Sequence, residues 1–284
     1  MRGPDIIART LSRPLVTDSA GRVWQYHSRS DQHSKVACWA VLFDLLTNSS
    51  LMQAHVSSGK VAFGINRQIN DWHSGRKKDL DLVVARTAGA GDPALEAFDL
   101  AQLATRYHLD LTDEDRSVLD ALPTAPRGAA GATVLVALEA KACMTAHIKA
   151  LPRLFDELTS SHSTVHGDND NALAVGFVMV NLADTFISPG RQAGGGEPVL
   201  NVHKQPLATE RTVAKVREIN RRPGPRSGQQ GFDALGVLVV DMRNDGTPVT
   251  VITDPPAPSL TNDFHYDRMV VRAAHLYDSA FGHV

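Results

Sequence analysis

The run from Thr133 to Met144, T-V-L-V-A-L-E-A-K-A-C-M, constrains the fold more than any other stretch of the chain. Its first half, Val134 to Leu138, is continuously apolar and rich in β-branched residues, and it follows an Ala/Gly/Pro-rich segment. Such a run predicts a strand buried on both faces of a sheet. Glu139 and Lys141 come directly after it. Being two residues apart, they point to the same face, at the end where the strand leaves the core. Charge buried there is costly unless it is paired or binds a metal, so the Glu-x-Lys needs an explanation.

A second strand-like run, Lys78 to Arg86, supplies the other half. Asp79 and Asp81 share one face of it, and Leu80, Leu82 and Val84 share the other. Adjacent strands of one sheet bring Asp81 beside Glu139 whatever the intervening segment does. An acid, a Glu and a Lys converging at a sheet edge hold a hard divalent cation through carboxylate oxygens and keep an ammonium beside a scissile phosphate.

Asp81, then Glu139-Ala140-Lys141 on the next long apolar strand, then a helix beginning near Met144, resembles the PD-(D/E)xK nuclease superfamily, the fold of many restriction endonucleases. The resemblance covers about Ser34 to Ser188, and Leu80 stands where the family's motif has its leading Pro. It implies an α/β fold with a mixed central β-sheet flanked by helices, and a magnesium-dependent endodeoxyribonuclease of the type II restriction kind acting on double-stranded DNA as a homodimer. Asp81 and Glu139 are then the Mg²⁺ ligands, with the Ala140 carbonyl a further one, and Lys141 orients or deprotonates the attacking water. Asp79 is the alternative to Asp81, and one or two metals are equally compatible with the pattern. Two other functions stay open: a structure-specific or modification-dependent nuclease of repair or phage defence using the same site, and a non-cutting relative that only binds nucleic acid or protein. Outside the family, the competing explanation is a structural ion pair between Glu139 and a neighbouring Arg.

Composition fits an ordinary globular chain read as one nuclease domain over residues 1–284, with 43% hydrophobic and 21% charged residues. A formal net charge of −2 excludes a non-specific nucleic-acid coat but leaves room for a local basic groove. The two cysteines, Cys38 and Cys143, form no C-x-x-C pair and suggest a reducing cytoplasm. No apolar run approaches a membrane span, and no targeting segment is visible. The glycines of 190–196 are followed by no Gly-Lys-Ser/Thr, so no nucleotide cofactor is expected.

Further elements take their places around the two strands. Val36, Trp39, Ala40, Phe43 and Leu46 predict a helix capped by Ser34, with Asp44 expected on its solvent side although an acid on this helix joins the metal site in some family members. Residues 87–132 read as a helical insertion between the catalytic strands, including a helix capped by Thr112. After Met144 the apolar stripe Ile148, Leu151, Leu154, Phe155, Leu158 predicts a helix bent or split at Pro152. His147, Lys149 and Arg153 on that helix, with Arg76, Lys77 and Lys78 before the Asp81 strand, are candidate phosphate contacts. Residues 202–231 are the most basic part; their helix and loose arm, with Lys215, Arg221 and Arg222, are a candidate DNA clamp. His162 and His166 lack a third ligand at zinc spacing, and no zinc site is expected.

Overall fold

The computed structural model describes residues 1–70, 75, 77–87, 99–124, 133–190 and 196–284. In chain order the elements begin with α1 (Gly3–Leu11), β1 (Val16–Thr17), β2 (Val23–Trp24), α2 (Gln32–Asn48), α3 (Ser50–Ser57), β3 (Val61–Asn70) and β4 (Lys77–Arg86). There follow α4 (Leu100–Arg106), α5 (Asp113–Ala121), β5 (Val134–Cys143), α6 (His147–Asp168), β6 (Leu173–Asn181), β7 (Thr185–Ser188) and β8 (Val199–Val202). The chain closes with α7 (Leu207–Arg217), β9 (Ala234–Asp241), β10 (Thr250–Ile252) and α8 (Tyr266–Ala280).

Six strands form the central mixed sheet in the order β10-β9-β6-β5-β4-β3. β3, β4 and β5 make an antiparallel meander. β5, β6 and β9 run parallel, and β10 returns antiparallel to β9. Parallel strands need helices on both faces, and that is why β6 is buried along its whole length and β5 over its first seven residues. On one face lie α1, α2, α3 and α8, packed through Trp39, Phe43, Phe177, Tyr266 and Tyr277. On the other lie α6 and α7, packed through Leu158, Val165, Val213, Val216 and Leu235. Each of these large side chains contributes about 1.5–3 kcal/mol by leaving water. Gly236 lets α8 approach β9 closely, since a Cβ there would lie 2.6 Å from Met269 Sδ.

Three local expectations are corrected. α2 starts at Gln32 with Asp31 as its N-cap, and Ser34 is already inside the helix, its hydroxyl donating to the Asp31 carbonyl at 3.0 Å. Asp44 is buried rather than exposed, accepting from the backbone N–H groups of Arg2 at 3.1 Å and Gly3 at 2.8 Å. It therefore satisfies orphan donors at the start of α1, a structural task unrelated to a metal. α6 runs as one helix from His147 to Asp168 with Pro152 inside it, so of the two expected outcomes the split does not occur. Between β4 and β5 lie α4 and α5; α5 is capped by Thr112, and its Asp115 ties this segment to α1 through Arg2 at 3.1 Å and through Arg9. Residues 88–98 and 125–132 of the insertion lie outside the described residues. Among the described residues, no helix is long and apolar enough to cross a membrane.

Candidate active site

The hydrogen-bonded register between β4 and β5 runs from Ala85↔Val134 to Leu82↔Leu138. Beyond that point β4 stays paired with β3 as far as Lys77, while β5 follows β6 as far as Cys143. The strands thus part into a fork, with Asp81 and Glu139 at its base. Parting frees backbone donors that the ladder would otherwise use. The Asp81 carboxylate takes one of them, with Oδ2 accepting from the Ala140 N–H at 2.9 Å.

Glu139 is 3% exposed, so its partners decide whether its charge is tolerable. Oε1 lies 2.7 Å from Lys141 Nζ and 3.3 Å from Lys78 Nζ. Oε2 is buried and, among the described residues, has no hydrogen-bond partner. Lys78 also donates to the Glu157 carbonyl at 3.1 Å and to Ser161 Oγ, both on α6, so it is anchored on two sides. The carboxylate of Glu157 stands 3.6 Å from Lys141 Nζ and 2.5 Å from Arg153 Nε.

The fork's electrostatics follow from two acids close together under partial burial. Burial first, and then the charge of Glu139, push the Asp81 carboxyl up to about 6, against the opposing Ala140 N–H and the two lysines. For Lys141, burial alone would favour the neutral amine, but Glu139, Asp81 and Glu157 outweigh it and raise its pKa. Burial likewise works against the Glu157 carboxylate, yet the Arg153 hydrogen bond and the charge of Lys141 bring its pKa below the usual range. His33 is held down to about 4 by burial and by the positive charge of Lys141, so its ring is neutral here.

The donor set that this gives is two carboxylates, Asp81 and the free oxygen of Glu139, with Ala140 between them. Mg²⁺ is commonly held by one or two carboxylates, with water and substrate phosphate completing its octahedron, so the residues fit that ion. Among the described residues there is no group of three or more His, Cys, Asp or Glu side chains that could hold a metal ion. A metal here would depend on substrate or water for most of its ligands.

Comparison of the chain with protein-family models, with curated proteins and with solved structures finds no match.

The other expected site residues divide. Asp79 is exposed and accepts from Gln68 Nε2 at 3.3 Å, leaving Asp81 as the acid beside Glu139. Lys78 belongs to the fork instead of reaching outward, and Lys77 is exposed. Arg76 lies outside the described residues. Lys149 and Arg153 are exposed on α6, Arg153 paired with Glu157. His147 is buried, its Nε2 bonded to the Asn181 carbonyl at 2.8 Å, so it does not reach the fork as a phosphate contact. Lys215 pairs with Glu218 at 2.6 Å and Arg221 with Asp263 at 3.0 Å.

Arg222 requires the clearest correction. It is 1% exposed, paired with the buried Asp233 at 2.8 Å and donating to the carbonyls of Asp170 and Ala172. A guanidinium buried and so occupied inside the protein is not available to DNA. His162 and His166 are both buried on α6. Glu157 and Ser161 were missed from sequence; the only signal was the four-residue spacing of Arg153 and Glu157, which marks a helix surface pair and not a site.

Proposed function

We propose that this protein is a magnesium-dependent endodeoxyribonuclease of the restriction type, a member of the PD-(D/E)xK superfamily acting on double-stranded DNA as a homodimer in the cytoplasm. The observation that carries the reading is the buried Oε2 of Glu139, without a partner among the described residues, in a carboxylate whose charge acts on Asp81 and whose other oxygen holds Lys141. An orphaned carboxylate oxygen loses its hydration without replacement, and a cation shared with Asp81 restores it. The order α2, β3, β4, β5, α6, β6, with the acid on the middle strand of the meander and Glu-x-Lys on the next, supports the family assignment. Both cysteines are free and buried, in keeping with a reducing compartment.

Mg²⁺ bound at the fork would neutralise charge on the phosphate and lower the pKa of a water it holds. Asp81 and Glu139 fix the place of that charge on two strands of a rigid sheet. Lys141, held by Glu139 at 2.7 Å and by Glu157 at 3.6 Å, stands where it can orient or deprotonate the attacking water beside the phosphate. Lys78 holds Glu139 in place from the other side. Glu157 and Arg153 steady Lys141 from α6.

The test is incubation of the purified protein with unmethylated phage and plasmid DNA and Mg²⁺, beside Glu139→Gln and Lys141→Ala, with the fragment ends sequenced. Discrete fragments from the native protein and none from either variant are expected. DNA left intact by all three sinks the restriction reading, and ends without a common sequence move it to a structure-specific or modification-dependent nuclease.

A further inference from the structure

Beyond Lys141, β5 leads into a cavity of about 510 Å³ between the start of α6, the two-stranded β7–β8 ribbon and α7. Three basic residues line it, Lys149, Lys204 and Arg211, all exposed. Among the described residues none of the three forms an ion pair, and no Asp or Glu lines the cavity. On a chain of net charge −2, a cluster of free cations is a local inversion of sign. The ribbon adds apolar side chains: Leu200 is 62% exposed and Val202 77%, with Leu207 beside them on α7. β7 and β8 form a two-stranded sheet, from Thr185↔Val202 to Ser188↔Val199; β7 is tied to the chain just past β9 by the Ile187 N–H donating to the Arg243 carbonyl at 2.9 Å, and β8 is the outer, exposed strand.

We infer that the β7–β8 ribbon and the basic cavity at its foot dock the duplex that flanks the cut, with Lys149, Lys204 and Arg211 on backbone phosphates and Leu200 and Val202 against base edges. The inference rests on the nuclease reading and names the surface that positions its substrate. Distance supports it: Thr145, the first residue lining the cavity, is four residues past Lys141. Even at the full rise of a strand this is at most ~13 Å, no more than about four base-pair steps of DNA. A two-stranded antiparallel ribbon fits the major groove, where an apolar side chain meets the thymine methyl. A second copy of the chain fits less well, because a two-fold contact through this patch sets the same cations against each other.

The test uses Lys141→Ala protein in Mg²⁺, so that DNA stays whole, with and without Lys149→Ala, Lys204→Ala and Arg211→Ala together. Binding of a short fluorescent duplex is followed by anisotropy over a salt series, and thermal melting checks that these exposed changes leave the fold intact. Affinity should fall at least tenfold, and the salt slope should become shallower by about 2–3, since each lost phosphate contact removes ~0.9. Unchanged affinity and slope overturn the inference, while cutting by the native protein would still uphold the nuclease. Absence of duplex binding overturns it too. If, in that case, Val202→Glu turns a native dimer into a monomer, the surface belongs to a second copy.

Discussion

Asp81→Asn separates the cost of the fork's charge from the worth of its shape. The amide oxygen of Asn can still accept from the Ala140 N–H, so the strand junction keeps its hydrogen bond while the charge is removed. The Asp81 carboxyl lies at about 6 instead of its ordinary 3.8, so the folded protein prefers it neutral. A raised carboxyl pKa means that the folded state binds the proton more tightly than the unfolded chain, and stability therefore falls as pH rises between the two values. At about 1.4 kcal/mol per pKa unit, the ionised carboxylate costs about 2–3 kcal/mol at pH 8, and about half of that at pH 5. Urea unfolding in EDTA should accordingly find Asp81→Asn more stable than the native protein by about 2–3 kcal/mol at pH 8, with the gain roughly halved at pH 5. Magnesium narrows the gap: at ten times its Kd it adds ~1.4 kcal/mol to the native protein, and less to a variant that has lost a ligand. A variant no more stable than the native protein at pH 8 in EDTA refutes the account of two crowded carboxylates.

Four further outcomes follow from the contacts of the fork and of Arg222. Lys78→Met should destabilise the fold by about 1–3 kcal/mol, because it strips Glu139 of one partner and frees acceptors on α6. Lys141→Met should abolish cutting at a smaller stability cost; equal stability losses for the two lysines would contradict the division between anchor and reactive cation. Glu157→Gln should slow cutting by about tenfold with the fold retained, through a looser Lys141, and an unchanged single-turnover rate removes Glu157 from the site. Arg222→Met should cost about 3–5 kcal/mol, since it leaves Asp233 charged and buried; measured by urea unfolding, a loss below 1 kcal/mol would show that the pair is not held as described.

The sheet was legible because its central strand is apolar on both faces: Val134 to Leu138 has few other folds open to it, and it is a buried strand. The meeting of Asp81 with Glu139 was legible from strand adjacency alone. What the fork does with its lysines was not. Lys78 reads as one of three basic residues in a polar turn, and only the three-dimensional course of β4 past α6 turns it onto Glu139. Arg222 shows the opposite failure, since a basic, Pro- and Gly-rich arm reads as solvated until the buried Asp233 eleven residues later is known to be its partner. Asp44 was misplaced for a similar reason: helical spacing marks a polar residue as outward-facing, and nothing in the local pattern reveals that the first turn of α1 will bring it two backbone donors.

The fork also bears on whether Glu139 is merely part of a structural ion pair. Its partners are Lys141 and Lys78, and both act on one oxygen. A pair selected for stability alone would satisfy both oxygens, because a buried charge half-matched is worse than an apolar replacement of similar shape. It would also have no use for a second acid nearby, yet Asp81 is held where burial and Glu139 together disfavour its charge. Two features that each lower the stability of the empty site become favourable together once a divalent cation lies between the carboxylates. Groups arranged at a cost to the resting fold are characteristic of sites under selection for chemistry. The placement of Lys141 agrees with this, for it is held by carboxylates on both β5 and α6 and is still partly exposed, so its ammonium can turn toward an incoming phosphate without losing every partner.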